Sequence, residues 1–287
     1  MNMKTIHRLH AHTRPTSPAR HTAGTRFLTK TLPTLAMSLF VFLSAITSLR
    51  ATDATVIAVA AGDSWNKDSV SAYLTSDGKL WVMGFTPWQF YPSGGNTPVQ
   101  VASNVKAVAV SGDHSLFVTN DGSLYATGNN KYGQLGVGDT TDRLRPVKVD
   151  TGGLRVKAVA VGGEQSSAYS LYITDDGGLY AMGANTSGQL GDGTNIWRDM
   201  PVRTLYSDGT PHGGVIDVAA GGSYSLFLKN DGSLWGMGSN YYGQLGMRTK
   251  INRQLWQGNE AATLAASEAL IVRNHFGNPA SRSMQGA

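Results

Sequence analysis

Short runs of alternating apolar and polar residues, most of them closed by glycine, recur along the greater part of this chain. Four runs open alike, at Val56-Ile57-Ala58-Val59, Val105-Lys106-Ala107-Val108, Val156-Lys157-Ala158-Val159 and Val215-Ile216-Asp217-Val218. Their spacing of about 50 residues is that of a repeat array built from one supersecondary unit. Each leads to a second apolar run ending in Asp-Gly, at Asp77-Gly78, Asp121-Gly122, Asp176-Gly177 and Asp231-Gly232. A third run follows at once, carrying Trp81, Tyr125, Tyr180 or Trp235 at one fixed place. Asp-Gly between two alternating runs predicts a β-hairpin, with glycine supplying the positive φ of a primed turn. The Val-x-x-Val run, small-sided and glycine-terminated, predicts a strand packed tightly near an axis. Pro146-Val147 and Pro201-Val202 predict a further strand opened by proline. Four strands per repeat make the blade of a propeller.

Three repeats end alike, in Gly133-Gln134-Leu135-Gly136, Gly188-Gln189-Leu190-Gly191 and Gly243-Gln244-Leu245-Gly246. Together with Gly112-Asp113-His114-Ser115-Leu116 and Asp121-Gly122-Ser123-Leu124-Tyr125, these residues resemble the regulator-of-chromosome-condensation repeat. The resemblance covers roughly residues 56–246. It implies an all-β fold of propeller blades in which the Gly-Gln-Leu-Gly loop and His114 are structural. The family's propellers have seven blades, so about three and a half repeats imply an incomplete or open array. The first repeat departs from the pattern: it has no Gly-Gln-Leu-Gly and carries Phe85-Thr86-Pro87-Trp88-Gln89-Phe90-Tyr91 instead. The His-Ser pair survives only at His114-Ser115, with Val70, Tyr169 and Tyr224 in the equivalent places. The repeats divide as 56–104, 105–155, 156–214 and 215–250, and residues 251–287 form a non-repeat tail. Within that tail, residues 259–276 read as a helix with Asn259 as N-cap and Gly277 and Pro279 as stop. Either the gene is truncated or this helix caps the array, and two open flanks predict self-association.

Composition suits this reading, with 35 glycines and only 15% charged residues in 287. The formal charge of +5 does not belong to the repeats. Residues 1–50 hold seven Lys/Arg and no Asp or Glu, which leaves 17 basic against 19 acidic residues in the rest. A slightly acidic body gives no electrostatic ground for nucleic-acid binding. The basic leader runs into an uncharged apolar stretch at residues 32–49, followed by Ala51. Residues 1–51 therefore read as a signal peptide or an uncleaved N-terminal membrane anchor, and the protein as exported. No cysteine is present, so disulfides and thiolate metal sites are excluded.

The search for chemistry points away from an enzyme. No nucleotide-binding glycine motif follows a strand, and His114, His212 and His275 have no paired metal spacing. Asp192-Gly193-Thr194-Asn195 lacks the later acidic ligands of a calcium loop and reads as a turn. Ser115, Ser170 and Ser225 recur at one repeat position, which marks architecture rather than a nucleophile. No cofactor and no metal are expected. Function is expected on loops that differ between repeats. Trp65, Lys67 and Asp68 in the first repeat, and Glu164 and Gln165 in the third, lie in insertions at one point of the blade. Trp88 and Tyr91, with Phe90, form a second candidate patch. The reading is a non-catalytic exported module that binds a protein or glycan at the cell exterior. The family resemblance leaves nucleotide exchange on a small GTPase as an alternative. A propeller hydrolase or lyase acting on polysaccharide is another, with Asp63, Asp68 and Glu164 its only support.

Overall fold

A computed structural model describes residues 54–63, 69–85, 90 and 95–258, and the leader and the expected helix at 259–276 lie outside them. Among the described residues every regular element is a strand apart from one 3-10 turn at Gln165–Ser167. The first blade contains β1 (Val56–Asp63), β2 (Ser69–Thr75), β3 (Leu80–Phe85) and β4 (Gly95–Ala102). The second contains β5 (Val105–Val110), β6 (His114–Thr119), β7 (Leu124–Gly128) and β8 (Arg143–Lys148). The third contains β9 (Val156–Gly162), β10 (Tyr169–Thr174), β11 (Leu179–Gly183) and β12 (Arg198–Arg203). The fourth contains β13 (Val215–Ala220), β14 (Tyr224–Lys229), β15 (Leu234–Gly238) and β16 (Arg253–Gly258). Each blade is a four-stranded antiparallel sheet whose strands lie in sequence order.

Among the described residues the blades are thus four, each with its four strands, where the sequence reads as three and a half repeats of an incomplete array. Residues 253–258 belong to the fourth sheet and not to a tail. β16 has no proline, but Gly238 opposes Arg253 as Gly128 opposes Arg143 and Gly183 opposes Arg198. The arginine that follows each Gly-Gln-Leu-Gly loop at a constant interval was the available signal. In the second and third blades the proline does not open the strand either. Pro146 and Pro201 sit inside the outermost strands, next to register irregularities, where a missing N–H costs no ladder bond.

The Asp-Gly hairpins form where expected, but the turn type differs. Thr75 N donates to Lys79 O (3.0 Å) and Gly78 N to Thr75 O (2.8 Å), and Gly78 has φ +77° while Asp77 is not left-handed. This is a type I turn followed by a left-handed glycine, the three-residue G1-bulge hairpin, rather than a two-residue primed turn. Aspartate fixes it from within: Asp121 accepts from Ser123 N (3.0 Å) and from the Thr119 hydroxyl. Those donors hold the Asp121 carboxyl well below its usual range, at about 2.

The core lies between blades rather than within one. Leu116, Val118 and Leu124 of the second blade meet Val156 and Tyr172 of the third. Leu171, Ile173 and Leu179 of the third meet Val215, Phe227 and Trp235 of the fourth. Alternation explains this, since successive side chains of a strand point to opposite faces and each face is apolar. The fixed aromatic of the third strand stacks on its cross-strand neighbour in every blade, for example Phe117 on Tyr125 at 5.1 Å and Phe227 on Trp235 at 6.2 Å. Tyr125, Tyr180 and Trp235 then pack against the preceding blade, as expected of inter-blade core.

The first blade fills its missing Gly-Gln-Leu-Gly leucine with Phe90. That ring is buried in the cluster joining the first two blades, where Leu135 and Leu190 stand in the clusters that follow. Phe90 is therefore core, not part of a surface patch. The fourth blade departs in another way: Arg248 has φ +54° at the place of Gly138 (φ +80°) and Gly193 (φ +78°). A left-handed side chain costs about 1–2 kcal/mol, and glycine gives back about 0.4–1 kcal/mol through unfolded-state entropy. Arg248→Gly is expected to raise stability by ~0.5–1 kcal/mol, read from the midpoint of a urea melt.

Candidate functional site

The serines that recur from repeat to repeat, and the His or Tyr that precedes them, are consumed by the joints between blades. Ser170 donates from Oγ to the Gln134 carbonyl (2.7 Å) and lies 2.9 Å from His114 Nε2 of the preceding blade. A carbonyl only accepts, so the Ser170 proton points at Gln134 and the Nε2 proton of His114 points at Ser170. The next joint repeats the scheme with tyrosine in place of histidine. Ser225 reaches the Tyr169 hydroxyl (3.0 Å) and the Gln189 carbonyl (3.2 Å), and Tyr169 donates to Tyr224 O. His114, Tyr169, Ser170 and Ser225 are all buried. Tyrosine therefore replaces histidine by reaching the same serine, which a one-dimensional comparison of residue types hides.

Burial pushes the His114 imidazole down to about 4. Unfolded, it titrates near 6.5, so between these values the unfolded chain binds the extra proton. This contribution to stability is complete above pH ~6.5, falls as pH drops through the window, and is gone below pH ~4. Burial depresses His212 in the same direction, also to about 4, where it packs on Tyr206, Phe227 and Trp235. H114Y, which installs the side chain of the next repeat, is expected to remove about half of the stability loss between pH 6.5 and 4. Thermal melts across that range check it.

Each Gly-Gln-Leu-Gly loop hangs on one buried asparagine. Asn130, Asn185 and Asn240 accept from the N–H of Leu135, Leu190 and Leu245, each at 2.9 Å. Their amides donate onward to Asp139 O, Thr194 O and Thr249 O. Gln134, Gln189 and Gln244 accept from the backbone N–H two residues before them. Leu135, Leu190 and Leu245 are buried, as the structural reading of these loops requires. Asp192 is likewise satisfied within its turn, accepting from Thr194 and pairing with Arg198 at 2.7 Å. Among the described residues no group of three or more His, Asp or Glu side chains is placed to hold a metal ion.

What varies lies at one end of the blades. The turns joining first to second strands and the loops joining third to fourth strands leave from the same strand ends. Asn129 N bonds Asp113 O (2.8 Å), Ala184 N bonds Ala168 O (2.9 Å) and Ser239 N bonds Ser223 O (2.8 Å) across them. Glu164 and Gln165 open the third-blade insertion, a 3-10 turn closed by Ser167 Oγ on Glu164 O (2.9 Å). Gln165 is exposed with φ +47°, and its N–H donates to the Asp113 carboxylate of the second blade at 2.7 Å. The equivalent turns of these two blades thus share one face. Trp65, Lys67 and Asp68, and likewise Trp88 and Tyr91, lie outside the described residues. Their flanking strands do not: Ser69 opposes Phe85 and Gly84 opposes Gly95, so both segments leave from one end of the first blade.

Sequence reasoning missed the apolar residues on the rim. Ile196, Trp197 and Met200 of the third blade and Tyr241 and Tyr242 of the fourth are exposed. Tyr241 and Tyr242 meet edge-on at 4.9 Å. Their signal was position in the variable loop or the outermost strand.

Repeated four-stranded blades joined by polar clasps define a β-propeller repeat protein. The profile of the regulator of chromosome condensation (RCC1) repeat matches residues 121–169 and 176–228, and a second RCC1 repeat profile matches 105–134 and 215–244. Residues 105–169 and 176–244 are thus matched as regulator of chromosome condensation repeats. It is 37% identical over 143 residues to the ultraviolet-B receptor UVR8 of Arabidopsis thaliana, covering 50% of this chain and 31% of the receptor. It is 32% identical over 164 residues to the protein RCC2 homolog of Danio rerio, covering 57% of this chain and 32% of that protein. The chain spans about a third of the length of these relatives. In fold it is similar to yeast RCC1 (Prp20) in its complex with Kap60, with a TM-score of 0.60 at 18% identity over 73% of this chain and 49% of that one.

Proposed function

We propose that this protein is a non-catalytic, exported recognition module that binds a protein or a cell-surface glycan through the loop face of its blades. One observation carries the reading: the recurrent His or Tyr and Ser are buried in the joints and the recurrent Asp is bonded within its own turn, so the side chains left for a ligand are those of the variable loops. The Gln165–Asp113 bond supports it, because a loop tied across two blades loses little entropy when it binds. Relatives of this family point to protein partners, as in the yeast RCC1 (Prp20) structure bound to Kap60. The basic leader and apolar stretch of residues 1–51 support export.

The purified chain, immobilised, is to be offered surface proteins and glycans from the exterior of its host. The comparison is a variant with Glu164→Ala and Gln165→Gly and residues 64–68 cut to the two-residue turn of the second repeat. Loss of binding with an unchanged melting curve is the expected result. Binding that survives these changes would place the ligand elsewhere. Faster nucleotide release from a small GTPase would replace this reading by the exchange-factor alternative.

A further inference from the structure

The two flanks of the four-blade unit carry opposite halves of one joint. We infer that the fourth blade of one copy takes the first blade of a second copy, head to tail, through the contacts that join consecutive blades within the chain. This surface is separate from the loop face and does not depend on what that face binds.

The internal joint is made three times; its turn bond and its apolar contact recur at all three, and its polar clasp at the second and third. The turn glycine carbonyl accepts from the first strand of the next blade: Gly78 O from Val105 N (2.9 Å), Gly122 O from Val156 N (2.9 Å) and Gly177 O from Val215 N (3.1 Å). The buried serine of the next blade meets the His or Tyr and the glutamine carbonyl of the one before. Apolar side chains of the second and third strands cover the valines of the following first strand.

The fourth blade keeps the leading half of all three. Gly232 stands at the turn, Tyr224 and the Gln244 carbonyl stand at the clasp, and Leu226, Leu228 and Leu234 form the apolar face. Those leucines are only half-buried, whereas Leu171, Ile173 and Leu179 at the same positions are fully buried. A Cβ on Gly188 would meet Gln254 of the next blade, and one on Gly177 would meet Gly214. At the equivalent Gly243 and Gly232 nothing stands within 4 Å. The first blade keeps the trailing half. Val56 and Val59 are 56% and 60% exposed, while Val105, Val156 and Val215 in the place of Val56 are at 2%, 0% and 0%. Ser71 occupies the position of Ser115, Ser170 and Ser225.

A partner for the fourth blade must therefore bring a Val-x-x-Val strand and a serine one strand further on. Residues 259–287 contain neither a Val-x-x-Val run nor an Asp-Gly turn. The first blade of a second copy brings the whole set. Because the two surfaces differ, the contact is heterologous, and it closes when rotation returns the second copy to the first. Two copies of four blades give eight, within the range of about 4–8 blades that propellers use.

Light scattering on the full chain during gel filtration tests this. The expected mass is twice the 30.5 kDa of one chain. Leu228→Asp blocks the leading flank and Val59→Asp the trailing flank, both at sites that are not buried within one chain. Each variant alone is expected to run as a single chain, with at least a tenfold weaker association and an unchanged melting temperature of the monomer. Mixed one to one, they are expected to pair again, since the mixture holds one intact flank of each kind. A wild type that stays single overturns the inference, as does a dimer that both variants retain. Failure of the mixture to pair also overturns it, because a symmetric contact would behave so. A chain that dimerises only after residues 259–287 are removed would put that segment on the flank instead.

Discussion

Leu190→Ala is expected to lower the unfolding free energy by ~2–5 kcal/mol, the cost of emptying a leucine site in a packed core. Leu190 is completely buried and packs with Leu171, Leu179 and Met237, so the cavity opens in the joint between the third and fourth blades. The surroundings relax little, because the loop that carries Leu190 is pinned at its N–H by Asn185 and at Gly191 O by Leu205 N. Urea melts followed by circular dichroism measure it. A loss under 1 kcal/mol would mean that the loop is decoration rather than a joint.

Gly188→Ala should be almost as damaging, for a different reason. Gly188 has φ +82°, and a Cβ there would lie 2.6 Å from Gln254 Cα in β16 of the next blade. The left-handed conformation alone costs a side chain about 1–2 kcal/mol, and displacing the neighbouring strand adds roughly 1–3 kcal/mol. Gly209→Ala separates the two effects. Its φ is +81° but nothing stands within 4 Å of the added Cβ, so only the conformational cost is expected. Equal losses in the two variants would show that the fourth blade does not press on Gly188 in solution.

Both expectations rest on residues whose importance was legible from the chain alone. Gly-Gln-Leu-Gly occurs three times at one place in the repeat, and a local motif needs only its own neighbours to form. Asn130, Asn185 and Asn240 carry these loops, and they too recur at constant distance from the glycine that ends the third strand. The loop face was legible in outline, since insertions at one point of a repeat must emerge together. The bond from Gln165 to Asp113 was not, because it joins residues 52 apart.

Alternation of apolar and polar residues, four Asp-Gly turns and a period of about 50 residues determined the strands and the blade. These are local properties, set by the period-2 geometry of a strand and by the φ that glycine tolerates. The tertiary structure decided that Arg253–Gly258 completes a fourth blade, since the spacing of Arg253 from its loop was the sequence's one sign of it and pairing with β15 sets its place. It alone turned Phe90 from a surface aromatic into the core plug that stands in for a missing leucine. It also showed Tyr169 doing the work of His114, because a hydrogen bond asks for an atom at a place and not for a residue type. The open flanks belong to the same class of fact. Val56 and Val156 are alike in sequence, but Val156 is buried against the second blade, whereas none of the described blades stands in front of the exposed Val56.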